Sequence, residues 1–226
     1  MQVQVEKTWI VSSAELYILL YGREMSRLPL FGSMTDYVPD EEDIARAVFS
    51  LSKKGVVDRA EDGALIVAEG MKNILDCLVS YQHCVVEYTR DGDVSQRCLY
   101  YNDGVVAEIT PDSATDNGFR LRLGTANSMI PDIMEIEELS DMPDIDVEQP
   151  RVPADMPATE DSAEAFLKDE RILLMAEHYD RNAAMPDRRG MVIRENLNKW
   201  IITDHMKDRK RAVERYKMKS FLSLYE

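Results

Sequence analysis

Residues 84–123 constrain the fold more than any other part of the chain. Four short apolar-rich runs follow one another there, separated by turn sequences such as Asp91-Gly92 and Asp103-Gly104. Strands joined by such short turns pair antiparallel, because a parallel pair needs a long crossover. The strict alternation at 119–123 is typical of a strand with one wet face. The sequence therefore predicts an antiparallel meander with strands at 84–89, 95–101, 104–110 and 119–123.

The first 80 residues read as helices with a small hairpin. Residues 9–11 predict a short opening strand, and Ser12-Ser13-Ala14-Glu15 supplies a hydroxyl N-cap with an acid in the first turn. A second helix starts at Pro39-Asp40-Glu41-Glu42 and stops at Gly55. A turn at Glu61-Asp62-Gly63 then predicts a hairpin or wing, and a third helix follows over 68–79. This order resembles a winged-helix module.

The remainder of the chain divides at an acidic, proline-rich stretch. A short helix is expected over 131–139, and residues 140–163 lack periodicity, which predicts a linker or mobile loop. Beyond it the sequence predicts a helix over 164–179 and strands at 191–194 and 199–203. The end of the chain fits a helix or a strand, and we favour a strand because Tyr216, Met218, Ser220 and Leu222 alternate.

These elements predict an α+β fold: antiparallel β meander sheets with helices, in two unequal quasi-repeated halves. Residues 1–139 form the N-terminal half, with winged-helix-like helices, the four-stranded meander and a helix. Residues 140–163 form the acidic Pro-rich linker or loop. Residues 164–226 form the C-terminal half, with a helix and short antiparallel strands.

The charge balance argues against a nucleic-acid partner. The 226 residues carry a formal net charge of −15, and residues 1–80 alone hold eight Lys or Arg against thirteen Asp or Glu. Phosphate contacts need basic side chains, and Lys53, Lys54 and Arg59 alone cannot hold a duplex. Carboxylates also occupy the first turn of the helix that would enter the groove. A winged-helix transcription regulator is kept as an alternative.

One basic region lies near the C-terminus. It comprises Lys207, Arg209, Lys210, Arg211, Arg215, Lys217 and Lys219. With the aromatic residues between them these side chains could form a nucleic-acid strip. The favoured interpretation is the solvent face of an edge strand, which lysines protect from mispairing. A third interpretation is an intramolecular contact with the acidic linker.

No catalytic or metal-binding motif is present. His83, His178 and His205 stand far apart, and no Walker-type loop, GxGxxG or GxSxG occurs. The three cysteines form no CxxC pair, which favours a reducing compartment. No signal-peptide pattern and no apolar run long enough for a membrane span are seen. We therefore expect a cytoplasmic, non-enzymatic protein with no cofactor, no metal and no membrane insertion.

Protein interfaces are enriched in aromatic and arginine anchors, and the predicted strands carry several. Adjacent strand residues point to opposite faces, so we expect one of Tyr100 and Tyr101 to be exposed and the other buried. The candidate partner-binding residues are Tyr88, Tyr100, Tyr101, Arg120, Arg122, Trp200 and Tyr216.

The order of elements resembles a known family. The run AELYILLYGREMSRLPLF, followed by ARAVFSLSKKGVVDRAEDGALIVAEGMKNILDCLVSYQHCVVEYTRDGD and RCLYYNDGVVAEITPDS, is similar to EspG-type secretion chaperones of type VII (ESX) secretion systems. The resemblance covers mainly residues 8–139. It implies an α+β fold of two quasi-equivalent halves and a cytosolic protein that holds helical substrates before export. It assigns no individual binding residue.

The favoured function is therefore a chaperone or adaptor for a helical protein partner, for which a type VII secretion substrate is the leading candidate. A structural or immunity-type interaction protein is a further alternative. The sequence leaves the partner's identity and the oligomeric state open.

Overall fold

A computed structural model describes residues 8–23, 38–91, 93–112, 114–115, 118–140, 163–181, 183 and 185–226. Nine of the described strands form antiparallel sheet, and two more form a separate hairpin. Helices precede and follow the strands along the chain. The predicted α+β class is confirmed. The chain divides into two compact units, Met1–His83 with Arg97–Met129, and Cys84–Gln96 with Ile130–Glu226.

The first unit begins with alternating short helices and strands. In chain order these are β1 (Trp9–Ser12), α1 (Ser13–Tyr21), α2 (Glu41–Lys53), β2 (Val57–Arg59), β3 (Leu65–Val67) and α3 (Glu69–Ser80). Strands β2 and β3 pair antiparallel as the predicted hairpin, with Val57 opposite Val67.

Local capping chemistry sets the helix ends. The Ser12 Oγ accepts the Glu15 N–H while the Glu15 carboxylate accepts the Ser12 N–H, which completes a capping box at α1. At α2 the Asp40 carboxylate accepts the Asp43 N–H at 2.8 Å. The helix ends before Gly55, whose φ of +67° suits glycine. The predicted starts at Ser12 and Asp40 and the stop at Gly55 are confirmed.

The meander strands are β4 (His83–Asp91), β5 (Asp93–Asn102), β6 (Val105–Asp112) and β7 (Gly118–Thr125). In the first unit β5, β6, β7 and β1 pair successively, for example through Tyr100 with Ala107, Ala107 with Leu123 and Leu121 with Trp9. Residues on both sides of these strands are buried, including Leu99 and Tyr100. The four predicted strands are confirmed, with ends that differ from the predicted ones by one or two residues.

Helix α4 (Ala126–Met134) follows β7, and a 3-10 turn (Glu137–Leu139) comes next. The sequence predicted this helix from Pro131 onward, but Pro131 lies inside it. The start was missed because no proline or acidic cap marks Ala126. The Ser128 Oγ instead accepts the Thr125 N–H at 2.9 Å.

The second unit is built mainly from the end of the chain. Its later elements are α5 (Ala163–Lys168), β8 (Ile172–Asp180), β9 (Arg188–Glu195), β10 (Asn198–His205), β11 (Lys210–Arg215), α6 (Met218–Leu222) and a 3-10 turn (Ser223–Tyr225). Strands β8, β9, β10 and β11 pair successively antiparallel. One core cluster comprises Phe166, Ile172, Met175, Met191, Ile193 and Ile202, and Tyr88 and Val213 pack against it.

Two sequence predictions fail in this unit. The helix expected over 164–179 ends at Lys168, and Ile172–Asp180 is a strand with eight consecutive buried residues. A strand covered on both faces shows no alternation, so its apolar run is easily mistaken for a helix. The strand preferred for the chain end stops at Arg215, and Met218–Leu222 is helical.

The division at residues 140–163 stays a prediction. Residues 141–162, which hold nearly all of the predicted linker, lie outside the described residues. Among the described helices, none is long and apolar enough to span a bilayer.

Candidate protein-binding surface

Both tyrosines of the predicted pair, Tyr100 and Tyr101, are buried. The Tyr100 side chain is completely buried and meets the Tyr81 ring edge-on, with ring centroids 5.6 Å apart. Tyr101 points to the opposite face but is only 7% exposed, and its ring stacks on His83 at 4.6 Å. The expectation that one of the two would be exposed is wrong, because the strand is covered on both faces.

The other predicted aromatic anchors also lie inside the second unit. Trp200 and Tyr216 are buried, and Tyr88 is half-buried with its ring centroid 5.5 Å from that of Phe166. The Tyr216 hydroxyl donates to the Leu139 carbonyl at 2.8 Å. These rings stabilise the fold of the free chain.

The two predicted arginines are held by acids of neighbouring strands. Arg120 donates to Asp112 at 2.9 Å, and Arg122 donates to the buried Glu108. Arg97 donates to the same Glu108 carboxylate at 2.9 Å. The partner-binding role of the seven predicted residues stays a prediction, but the exposed position on which it depended is absent for Tyr100, Tyr101, Trp200 and Tyr216.

Exposed apolar side chains occur elsewhere in the second unit. Leu197 is 75% exposed, and Met218 and Leu222 are 38% and 40% exposed. We call these three residues the C-terminal apolar patch. Leu197 stands at the tip of a two-residue turn, since Glu195 pairs with Asn198 and Asn196 has a φ of +55°.

One backbone hydrogen bond brings Leu197 and the start of α6 to the same end of the unit. The Tyr216 N–H donates to the Lys199 carbonyl at 3.0 Å, so the start of α6 lies beside the start of β10. Leu197 precedes β10 by one residue, and Met218 begins α6. Met218 and Leu222 are four residues apart and therefore share one face of the helix.

An aromatic cluster packs against the buried side of α6. The Phe221 side chain is completely buried, and its ring lies 6.0 Å from Tyr216 and 5.5 Å from Tyr225. The Lys199 ammonium lies 4.7 Å from the centre of the Tyr216 ring. Helix α6 is thus fixed by its buried side, and a partner can contact its outer side without rearranging the core.

Basic side chains border the patch. Lys217 and Lys219 are exposed on either side of Met218, whereas Arg194, which precedes the β9–β10 turn, is paired with Glu138 at 3.2 Å. An apolar centre with a charged rim is the usual anatomy of a protein interface. A basic rim suits a partner that carries acids beside an apolar stripe.

Sequence reasoning did not select these three residues. Aromatic content was used as the criterion, and aromatic side chains on strands are mostly core. The available signal was an apolar Leu197 between Asn196 and Asn198, in a turn where polar residues are usual.

The described residues offer no sign of nucleophilic or metal chemistry. Burial raises the pKa of the Cys77 thiol to about 11 and that of Cys84 to about 12, so neither is a thiolate at neutral pH. In the part of the chain that the structure describes, no three His, Cys, Asp or Glu side chains are grouped as metal ligands would be.

No protein-family model matches the chain, and no curated protein matches it either. Among solved structures it is similar to the Mycobacterium tuberculosis type VII secretion system chaperone EspG5, determined in complex with a PE25–PPE41 dimer. The TM-score is 0.58 at 9% identity, over 97% of this chain and 95% of that chain. At this identity the likeness shows a shared fold and nothing further.

Proposed function

We propose that the protein is a non-enzymatic, cytoplasmic chaperone or adaptor that binds a helical protein partner, and that this partner is a type VII secretion substrate. The observation that carries the proposal is the fold shared with EspG5 over nearly the full length of both chains. EspG5 is a secretion chaperone seen with a protein dimer bound. Because fold alone does not establish function, the proposal needs its own binding experiment.

The C-terminal apolar patch is the surface through which we propose that the partner binds. An amphipathic helix presents apolar side chains at positions i, i+3 and i+4, a stripe that a small apolar patch can cover. Methionine adapts its shape to such contacts. The basic rim of Lys217 and Lys219 favours a helix with acidic residues along the border of its stripe.

The test is co-expression with helical proteins encoded beside this gene. A complex should co-purify and show a defined mass by light scattering. Met218→Glu should weaken it at least about tenfold, because a carboxylate would be desolvated at the contact. Leu197→Glu should act in the same direction.

A matched control is available in the same unit. Met185 is 72% exposed in the loop between β8 and β9, at the opposite end of β9 from Leu197. Met185→Glu should leave binding and the melting temperature unchanged. If it weakens binding as much as Met218→Glu, the patch is not the binding surface. If none of the neighbouring helical proteins binds, the chaperone proposal fails.

The two alternatives predict different results in the same series. A winged-helix regulator would bind a DNA duplex at about 150 mM salt, where weak phosphate contacts are largely lost. We expect no binding, because Lys54, one of the few basic residues of that segment, is paired with Glu15 at 2.6 Å. Neutralisation of a co-expressed toxin would favour the immunity-type alternative.

A further inference from the structure

Among the described strands, β1 pairs with β7 alone, so one side of β1 lies at a sheet edge. Along an antiparallel pair, alternate residues direct both N–H and C=O toward the partner strand or away from it. The orientation of β1 can therefore be read from a few hydrogen bonds.

The even-numbered residues of β1 face the open edge. Ser12 lies opposite Gly118, but the Ser12 N–H donates to Glu15 at 2.7 Å and the Gly118 N–H donates to the Thr115 carbonyl at 2.9 Å. This pair is therefore not joined by ladder hydrogen bonds. Ile10, two residues earlier and opposite Arg120, has the same orientation.

One ion pair covers these edge groups. The Lys54 ammonium donates to the Ile10 carbonyl at 3.1 Å and to the two Glu15 carboxylate oxygens at 2.8 and 2.6 Å. The same Glu15 accepts the Ser12 N–H. Glu15 is almost completely buried, while the Lys54 side chain is 39% exposed. Two side chains thus occupy an edge carbonyl and an edge N–H that an added strand would need.

An open groove borders this edge. It has a volume of about 520 Å³ and lies between β1 and α2, with Ile10 and Val11 on one side and Ala47 and Ser50 on the other. Lys54 lines the same groove. A strand added to β1 would lie about 4.8 Å from it, in the space that the Lys54 side chain crosses.

We infer that Glu15 and Lys54 form an autoinhibitory contact that closes the edge of β1 to strand addition by a second copy of this chain. The segment Trp9-Ile10-Val11 is apolar and rich in residues that favour strands, and such an edge tends to pair with itself. Two copies can meet antiparallel with the Ile10 of one copy opposite the Ile10 of the other, which gives a closed two-fold dimer. This inference is independent of the proposed function.

The test compares Lys54→Met with Lys53→Met by sedimentation equilibrium. Lys54→Met keeps the length of the side chain but frees the Ile10 carbonyl, and we expect self-association to rise at least about tenfold over wild type. Lys53 is exposed on the last turn of α2, so Lys53→Met should match wild type. Hydrogen exchange at the Ile10 amide should slow in the Lys54→Met dimer.

A second change identifies the interface. Ile10→Pro removes an N–H that points to the open edge, a substitution that edge strands tolerate. Added to Lys54→Met, it should return self-association to the wild-type level. If it does not, the new dimer uses another surface and the inference is overturned.

A milder variant guards against misfolding of Lys54→Met. Glu15→Gln keeps an oxygen that can accept the Ser12 N–H but removes the charge that holds Lys54. We expect this variant to fold and to self-associate more strongly than wild type but less strongly than Lys54→Met. Wild-type association in every folded variant, Glu15→Gln included, would overturn the inference.

Discussion

Strands β1 and β11 each pair with a single described strand, yet their outer edges are protected in different ways. Strand β1 is apolar, and two of its edge groups are covered by Glu15 and by Lys54, which lies 44 residues from Ile10 along the chain. Strand β11 (Lys210–Arg215) carries its own charges, with Lys210 and Glu214 exposed. Protection of β1 thus depends on tertiary structure, whereas β11 is protected by the charged side chains of its own residues.

The two edges should therefore respond differently to the loss of one basic side chain. A single substitution far from β1 along the chain can free the Ile10 carbonyl, because one ammonium group covers it. The charges of β11 are several and local, so the loss of one exposed lysine leaves the others in place. The exception is Arg211, whose partner is buried.

Arg211→Met should therefore have the largest effect on stability. Arg211 donates to both oxygens of Asp204 at 2.6 and 2.8 Å, and the Asp204 side chain is completely buried. Removal of the guanidinium leaves a buried carboxylate without its counter-charge, which costs about 3 kcal/mol. Chemical denaturation should show this decrease in the free energy of unfolding.

Lys210→Met is the matched control on the same strand. Its side chain is 77% exposed, and its contact with Asp208 is 3.8 Å long. Exposed pairs of this kind contribute about 0–1 kcal/mol. Equal costs for the two variants would show that Arg211 acts as a surface charge and that β11 has no special dependence on Asp204.

The features predicted correctly from sequence depend on neighbours within a few residues. Ser12 and Glu15 are three residues apart, and Gly55 adopts its positive φ directly after α2. The basic end was interpreted as an edge strand from its own lysines, and β11 holds that position. The hairpin turns of the meander were predicted on the same local basis.

The features missed depend on which surfaces other elements cover. Ile172–Asp180 was assigned to a helix because burial on both faces removes the alternation of a strand. Tyr100 and Tyr101 alternate as expected, but alternation does not reveal that both faces are covered. The contact between Ile10 and Lys54, and the exposure of Leu197, likewise follow only from the folded chain.

Ser12→Ala separates helix capping from edge protection. The Ser12 Oγ accepts the Glu15 N–H, and loss of an N-cap hydroxyl costs about 1 kcal/mol. The Ser12 N–H and the Lys54 contact with Ile10 are unaffected by this change. The melting temperature should fall while self-association stays at the wild-type level. Increased self-association would mean that the cap itself protects the edge.

The smallest effects concern pH, and here the two regions should respond with opposite sign. A hydrogen bond from Thr115, then one from Arg120, lowers the pKa of Asp112 below 3.8 in the β6–β7 hairpin that borders β1. In the turn before β11, a hydrogen bond to Asp180 raises the pKa of Lys207 above 10.5. Both contributions are present near neutral pH and change only in acid or in alkali.

The signs follow from linkage between protonation and folding. Because the folded pKa of Asp112 is below the unfolded one, its contribution is present above the unfolded pKa and is lost as the pH falls through the folded value. The Lys207 contribution is present below its unfolded pKa and is lost as the pH rises through the folded value. Thr115→Val should bring the Asp112 pKa, followed by carboxyl NMR, back toward 3.8 and reduce the loss of stability in acid. Asp180→Asn should bring the Lys207 pKa back toward 10.5 and reduce the loss of stability in alkali. Thr115→Val should leave the alkaline part of the stability–pH curve unchanged, and Asp180→Asn should leave the acid part unchanged. If Thr115→Val leaves the Asp112 pKa where it was, Arg120 alone holds that carboxylate, and the hairpin beside β1 depends on charge as β11 does.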